Sequence, residues 1–301
     1  MKKQPRYALF SVYDKTGLVP FARELSKLGF QLIASGGTAD VLKKARLRVL
    51  PVEKITGFPS MLGGRLKTLH PLIHGGILWR RDDAGDQKIV EKYKIPSIDI
   101  VVVNLYPFEA VASRPNATHE EIVENIDIGG PALIRSTAKN YESTAIVVNP
   151  DRCEAVIEAL KENKGKIPLD MREALALEAF RHTERYDTLI SRYFANRRDE
   201  GPFPTRLLLP MQKVADLRYG ENPHQRAALY RNERKLVPRE STVVKARQLH
   251  GKELSFNNYL DLNASWDIAS SFAEPAVAII KHNNPCGVAV AKKLSLAYKK
   301  A

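Results

Sequence analysis

At 301 residues the chain is long enough to bury a large core and to form two domains of ordinary size. Its 47 basic against 34 acidic residues leave a formal charge of +13 spread along the sequence, which favours anionic partners; with no zinc-finger spacing and no ribonucleoprotein-type aromatic signature, small phosphorylated metabolites are preferred to nucleic acid. Two cysteines outside any CxxC pair, no HExxH pair, no apolar run near the ~20 residues that span a bilayer and no apolar signal core after Met1 exclude a disulfide framework, a metalloprotease-type metal site and a membrane span, and set the expectation of a cytoplasmic protein.

Residues 7–12 (YALFSV) read as a short strand, and Leu18, Phe21, Ala22, Leu25 and Leu28 recur at helical spacing behind it. The unit repeats: residues 30–35 (FQLIAS) form a second apolar run, GGT at 36–38 turns the chain, and ADVLKKA opens a second helix. Further strands are expected at 49–52, 98–105 and 143–149; IDIVVVNL at 98–105 is apolar at nearly every residue, as in a strand covered on both faces. Helix starts are marked by Thr118 with Glu121, by Pro150 with Asp151, and by Asp170 with Glu173 before a long helical stretch. Strands alternating with helices imply a doubly wound parallel α/β sheet, whose ligands bind beyond the carboxyl ends of the strands.

That rule selects Ser11, Asp14, Lys15 and Thr16 after the first strand, Ser35, Gly36, Gly37 and Thr38 after the second, and Asn104, Tyr106 and Pro107 after the fourth apolar run. Small hydroxyls, glycines and a lysine at adjacent strand ends make a cradle of backbone N–H groups plus a cation, suited to phosphate. The stretch 62–76 (LGGRLKTLHPLIHGG) adds two glycine pairs, Arg65 with a fork of donors, Lys67 with a point charge, and Thr68; Gly63 and Gly64 are expected at positive φ. DIGGPALIRSTAKN at 127–140 sets Asp127 before Gly129 and Gly130 at a helix start and Lys139 near that helix's end.

Together these segments resemble one family, the bifunctional purine biosynthesis enzyme that joins AICAR transformylase to IMP cyclohydrolase. The motifs that carry the resemblance are FSVYDKTG, ASGGTA, ITGFP, LGGRLKTLHP, HGGIL, NLYPF, IDIGGPALIRSTAKN, RYGENPHQ and KHNNPCG, in the family's order along nearly the whole chain. The resemblance implies a methylglyoxal-synthase-like variant of the doubly wound sheet over residues 1–196, a linker at 197–206, and the start of a cytidine-deaminase-like α/β domain at 207–301. It implies that the first domain cyclises formyl-AICAR to IMP and water without a cofactor. Lys67, Tyr106, Asp127 and Lys139 match its catalytic set, and Ser11, Lys15, Ser35, Gly36, Gly37, Thr38, Arg65, Thr68, Asn104, Gly129 and Gly130 its substrate contacts. Whether Lys67 or Asp127 serves as base stays open at this level.

For the second domain the resemblance implies formyl transfer from formyl-tetrahydrofolate to AICAR, with Lys281 and His282 catalytic and Arg218, Tyr219 and His224 contacting AICAR. Lys281 and His282 close an apolar strand before an Asn-Asn-Pro turn, and Cys286 lacks the CxxC partner of a deaminase-type zinc site. Members of the family continue well past this chain's last residue and form homodimers with shared transformylase sites. The expectation is therefore a chain that cyclises but does not transfer, and whose second domain exposes apolar surface. Two rival readings are a methylglyoxal-synthase-like lyase, which leaves NLYPF and STAKN unexplained, and a non-catalytic module sensing a nucleoside monophosphate.

Overall fold

The computed structural model describes residues 5–62, 65–198, 209, 211–232 and 243–301. The chain divides into two compact units, Met1–Phe203 and Pro204–Ala301. Of the expected linker, residues 199–206 lie outside the described residues, as do Gly63 and Gly64.

The first unit runs β1 (Arg6–Val12), α1 (Leu18–Lys27), β2 (Phe30–Ala34), α2 (Gly36–Lys44), β3 (Val49–Pro51), α3 (Val52–Thr56), α4 (Pro71–Leu78), α5 (Ala84–Tyr93), β4 (Ile98–Asn104), α6 (Phe108–Ala112), α7 (His119–Glu124), α8 (Gly129–Lys139), β5 (Ala145–Val147), α9 (Cys153–Glu162) and α10 (Leu169–Arg198). Its five strands form one sheet in the order β3-β2-β1-β4-β5, with every neighbouring pair parallel. The chain winds outward from β1 to β3, then returns to lay β4 on the other side of β1. The order therefore reverses between β1 and β4, where such a sheet opens a crevice at its carboxyl edge. Ala8, Leu9 and Phe10 in β1 and Ile98, Ile100 and Val101 in β4 are at most 1% exposed, which explains why both strands are apolar on both faces.

Three local readings change. Gly36–Thr38 is the first turn of α2, not a turn ahead of it, so its N–H groups point out of a helix end. The pair Gly75–Gly76 belongs to α4, a helix opened by Pro71, with the His70 imidazole accepting from the Leu72 N–H at 3.1 Å. A Cβ on Gly76 would run into the Pro96 carbonyl, so this pair lets α4 lie close against the edge of β4. Asp170 sits inside the first turn of α10, where its charge faces the positive end of the helix without capping it. The capping box of Thr118 and Glu121 is present as read, and Asn149 caps the short turn ahead of α9.

Helix α10 is 30 residues long and buries Leu175, Ala176, Ala179, Thr183 and Tyr186, a stripe at spacings of three and four that packs on α8 and β5.

The second unit contains β6 (Met211–Leu217) paired antiparallel with β7 (Ala227–Asn232), α11 (Phe256–Ser270), β8 (Ala276–Lys281) paired antiparallel with β9 (Asn284–Val290), and α12 (Leu294–Lys300). His282 and Asn283, at φ 52 and 62, are themselves the two-residue turn of the second hairpin, and Asn284 already lies in the next strand. Among its described residues the only buried apolar side chain is Ala297, while Leu249, Leu294 and Tyr298 are 84%, 61% and 67% exposed.

Candidate active site

A cavity of about 540 Å³ opens at the carboxyl ends of β1, β2 and β4, at the point where the strand order reverses. Its lining holds Ser11 and Lys15 from the end of β1, Ser35, Gly36, Gly37 and Thr38 from the start of α2, Arg65, Lys67 and Thr68 from the loop before α4, Asn104 and Tyr106 after β4, and Asp127, Gly129 and Gly130 at the start of α8. Of the catalytic set expected for the first unit, Lys67, Tyr106 and Asp127 therefore share one cavity. Lys139 does not line it. It is the last residue of α8, exposed, and ten residues beyond Gly129 along a straight helix, about 15 Å at ~1.5 Å per residue.

The first turn of α2 leaves the N–H groups of Gly36, Gly37 and Thr38 without helical partners, a ready anion seat. Gly36 takes φ +51, and a Cβ there would stand 3.4 Å from Lys67 Nζ, so the lysine lies directly over this seat. The Thr38 hydroxyl is buried and already engaged, donating to the Val12 carbonyl at 3.0 Å. What Thr38 offers a ligand is its backbone N–H.

Asn104 is similarly committed. Its side-chain oxygen accepts from the N–H groups of Tyr13 at 2.5 Å and Asp14 at 2.9 Å, and its amide nitrogen donates to the Asp14 carbonyl at 2.8 Å. It holds the β1–α1 loop in shape from the neighbouring strand. The loop places the Tyr13 ring edge-on to Tyr106, with centroids 5.7 Å apart. Lys15 donates to the carbonyls of Val12 and, at 3.0 Å, Tyr13; burial lowers its pKa, and Asp14 partly opposes this.

The Asp127 carboxylate accepts from the Gly130 N–H at 2.8 Å. Burial raises its pKa, and N–H groups of Gly130, Tyr106 and Gly129 pull it back down. Burial likewise raises the pKa of Tyr106, reinforced by Asp127 and Glu124, so the phenol stays protonated. Gly130 has no space for a side chain: a Cβ would lie 2.5 Å from both Asp127 Oδ2 and Leu105 Cδ2.

Three residues of this region were not singled out in the sequence. Tyr13 packs edge-on against Tyr106 in the cavity wall; Glu124 forms an ion pair with Arg65, which lowers the Glu124 pKa; Tyr186 holds the backbone around Asp127. Tyr13 falls inside a motif quoted above, but nothing in local spacing marks Glu124 or Tyr186.

In the second unit, Arg218 lines a cavity of about 320 Å³ with Lys252, Asn258, Asp261 and Ser265. Its guanidinium lies 4.9 Å from the Tyr219 ring centroid, and hydrogen bonds to Ser255 and Arg218 lower the Tyr219 pKa. His224 is exposed between β6 and β7. Lys281 and His282 are exposed and do not line this cavity, although Asp261 accepts from the Asn283 N–H at 2.7 Å and so ties the hairpin turn to α11. Among the described residues no group of three or more His, Cys, Asp or Glu is placed to hold a metal ion, and no helix is long and apolar enough to cross a membrane.

Comparison with known proteins gives two family matches: residues 137–301 match the AICARFT/IMPCHase bienzyme, and residues 17–132 an MGS-like domain. The chain is 50% identical over 303 residues to the bifunctional purine biosynthesis protein PurH of Desulfitobacterium hafniense (strain DSM 10664 / DCB-2) and 50% identical over 300 residues to that of Persephonella marina (strain DSM 14350 / EX-H1). Each alignment covers 98% of this chain and 57% of the relative, so the chain spans a little over half the length of these relatives. Among solved structures, one titled as the crystal structure of ForH superposes with a TM-score of 0.56 at 34% identity, covering 64% of this chain and all of that one.

Proposed function

Since the chain belongs to the AICARFT/IMPCHase bienzyme family, we propose that its first unit is an IMP cyclohydrolase that closes formyl-AICAR to IMP with loss of water. The observation that carries this reading is the convergence of Lys67, Tyr106 and Asp127 on the cavity that also holds the exposed N–H groups of α2. The substrate's phosphate sits on the first turn of α2, with Lys15 and Arg65 at its flanks, and its imidazole end reaches toward α8. Formyl and carboxamide groups are then held side by side, which supplies much of the acceleration.

In the ring closure the carboxamide nitrogen attacks the formyl carbon, the electron pair of the carbonyl moves onto its oxygen, and a proton leaves the nitrogen. Asp127 is the acceptor for that proton: burial has raised its affinity for one, while its backbone donors keep it close to α8. Lys67 supplies positive charge against the oxygen as it becomes negative. The protonated phenol of Tyr106 then donates to that oxygen. The resulting hydroxyl departs as water with the proton that Asp127 took up, while the formamide nitrogen gives its proton to the Tyr106 oxygen as the ring C=N bond forms, which restores both side chains. No cofactor takes part in these steps.

The second unit is read as part of the site for formyl transfer to AICAR, with formyl-tetrahydrofolate as cosubstrate. Its support is the family match over residues 137–301.

Incubating the purified chain with formyl-AICAR and following IMP by ultraviolet absorbance tests the first reading. The chain is expected to form IMP, and Lys67→Ala to lose at least ~10²-fold in turnover, the scale of a positioned charged group. Binding of IMP without any turnover by the unaltered chain would instead favour a sensing module.

A further inference from the structure

The phenol of Tyr186 stands 59 residues from Asp127 in sequence and touches the same short loop twice. Its oxygen accepts from the Asp127 N–H at 2.8 Å and donates to the Asn125 carbonyl at 3.1 Å. The side chain is 7% exposed, and its ring packs edge-on against Phe108, with centroids 6.2 Å apart. Burial pushes its pKa up to about 12, so the hydroxyl keeps the proton it donates. The bridge spans the residues that lead into α8, and two of the three backbone donors on the Asp127 carboxylate, at Gly129 and Gly130, are the first residues of that helix.

We propose that Tyr186 is the positioning residue for Asp127: anchored on α10, its hydroxyl fixes the 125–127 backbone so that the Asp127 carboxylate faces both the cavity and the start of α8. The proposal rests on the cyclisation reading of the first unit. Tyr186 does not line the cavity, so it acts through Asp127 and does not touch substrate itself. A hydroxyl added only for stability has no need to bridge the two peptide groups that flank the approach to a cavity carboxylate. The ring alone would fill the space.

The test is Tyr186→Phe in the whole chain, which keeps the ring and deletes the bridge. Turnover is expected to fall about tenfold or more, the scale on which small displacements of a reacting group act. KM and the affinity for IMP should stay within about twofold, since the phosphate seat on α2 is untouched. Freed from its tether, the carboxylate loses part of its backbone donation, so the acidic limb of the kcat profile should move to higher pH. Amide hydrogen exchange at Asp127 should accelerate relative to the sheet, a readout that needs no turnover and separates this loop from a general loosening. Phe108→Leu, which disturbs only the ring packing, should lower thermal stability without moving the pH limb.

Unchanged turnover and unchanged exchange at Asp127 in Tyr186→Phe would overturn the proposal. So would a loss of turnover with KM and exchange worsened throughout the sheet, because that marks a purely structural residue. An unaltered chain that forms no IMP ends the cyclisation reading and this one with it, whereas a chain that cyclises normally with or without the hydroxyl ends this one alone.

Discussion

Gly130→Ala probes the tightest point of the site. The added methyl would stand 2.5 Å from Asp127 Oδ2, 2.5 Å from Leu105 Cδ2 and 2.9 Å from Asp127 Cγ. Neither neighbour yields cheaply. Leu105 is 9% exposed at the end of the core, and the Asp127 backbone is held by Tyr186. Forcing a methyl into such a space costs about 1–3 kcal/mol. Alanine's helix preference returns up to ~1 kcal/mol, less in a first turn. A net loss of about 1–2 kcal/mol lowers the melting temperature of a unit this size by roughly 2–8 °C. The carboxylate must also leave the Gly130 N–H that it accepts from at 2.8 Å, and a shift near ~1 Å can cost ~10²-fold in rate.

Gly37→Ala is the control. Nothing lies within 4 Å of a Cβ at Gly37, and its φ is not positive, so stability should hold or rise by ~0.4–1 kcal/mol. The new methyl stands on the anion seat instead, and affinity for IMP should fall. Calorimetric melting and IMP formation together decide the matter. A Gly130→Ala protein that melts and turns over like the unaltered chain would refute the reasoning, as would a Gly37→Ala protein that loses stability.

Asp127→Asn should stabilise the protein while removing its activity. The Asp127 pKa is raised above its ordinary 3.8 by burial, so the folded state binds a proton that the unfolded chain has released, and stability falls as pH rises from 3.8 through the raised value. The variant escapes this cost. Its melting temperature should exceed the parent's at pH 7 and converge with it below pH 3.8; a lower value at pH 7 would contradict the burial argument. Glu124→Gln releases Arg65 from its ion pair, and the Kd for IMP by titration calorimetry should tighten roughly twofold to fivefold, the range an exposed pair is worth. Weaker binding would show that Glu124 itself holds ligand. The second unit buries little apolar surface among its described residues, so the chain should enhance the fluorescence of a hydrophobic dye, and limited proteolysis should degrade residues 204–301 before 1–203. Equal resistance of both units would argue against this.

What the sequence made legible was whatever chemistry repeats locally. Apolar runs at 7–12, 30–35 and 98–105 alternate with helical spacing, and that alone implies a parallel sheet with ligands at its carboxyl edge. Ser11, Ser35 and Tyr106 could be placed beside one another on that rule before any distance was known. Residues with two competing uses are not separated by spacing alone. Gly75 and Gly76 resemble a flexible loop in composition, yet they lie in a helix, where the Ile95 side chain crowds Gly75 and the Pro96 carbonyl leaves no room for a side chain at Gly76. Asn104 sits at a strand end like a ligand contact, yet all three of its hydrogen bonds go to the Tyr13–Asp14 backbone. Tyr186 was invisible because its partners are 59 and 61 residues away, and no periodicity spans that interval.

The separation of Asp127 from Lys139 shows how the site is organised. A helix N-terminus concentrates free N–H groups, and the sheet aims two of them, on α2 and α8, at the one crevice where strand order reverses. The α2 terminus is left open for a ligand anion, whereas the α8 terminus is already occupied by the chain's own carboxylate at Gly130. On the cyclisation reading, that difference divides the cavity into a binding end and a reacting end without any difference in fold between them. The helix that gives Asp127 its donors carries Lys139, at its far end, outside the lining of that cavity. The long helix α10, packed along α8, then keeps the occupied terminus in register through a single hydroxyl.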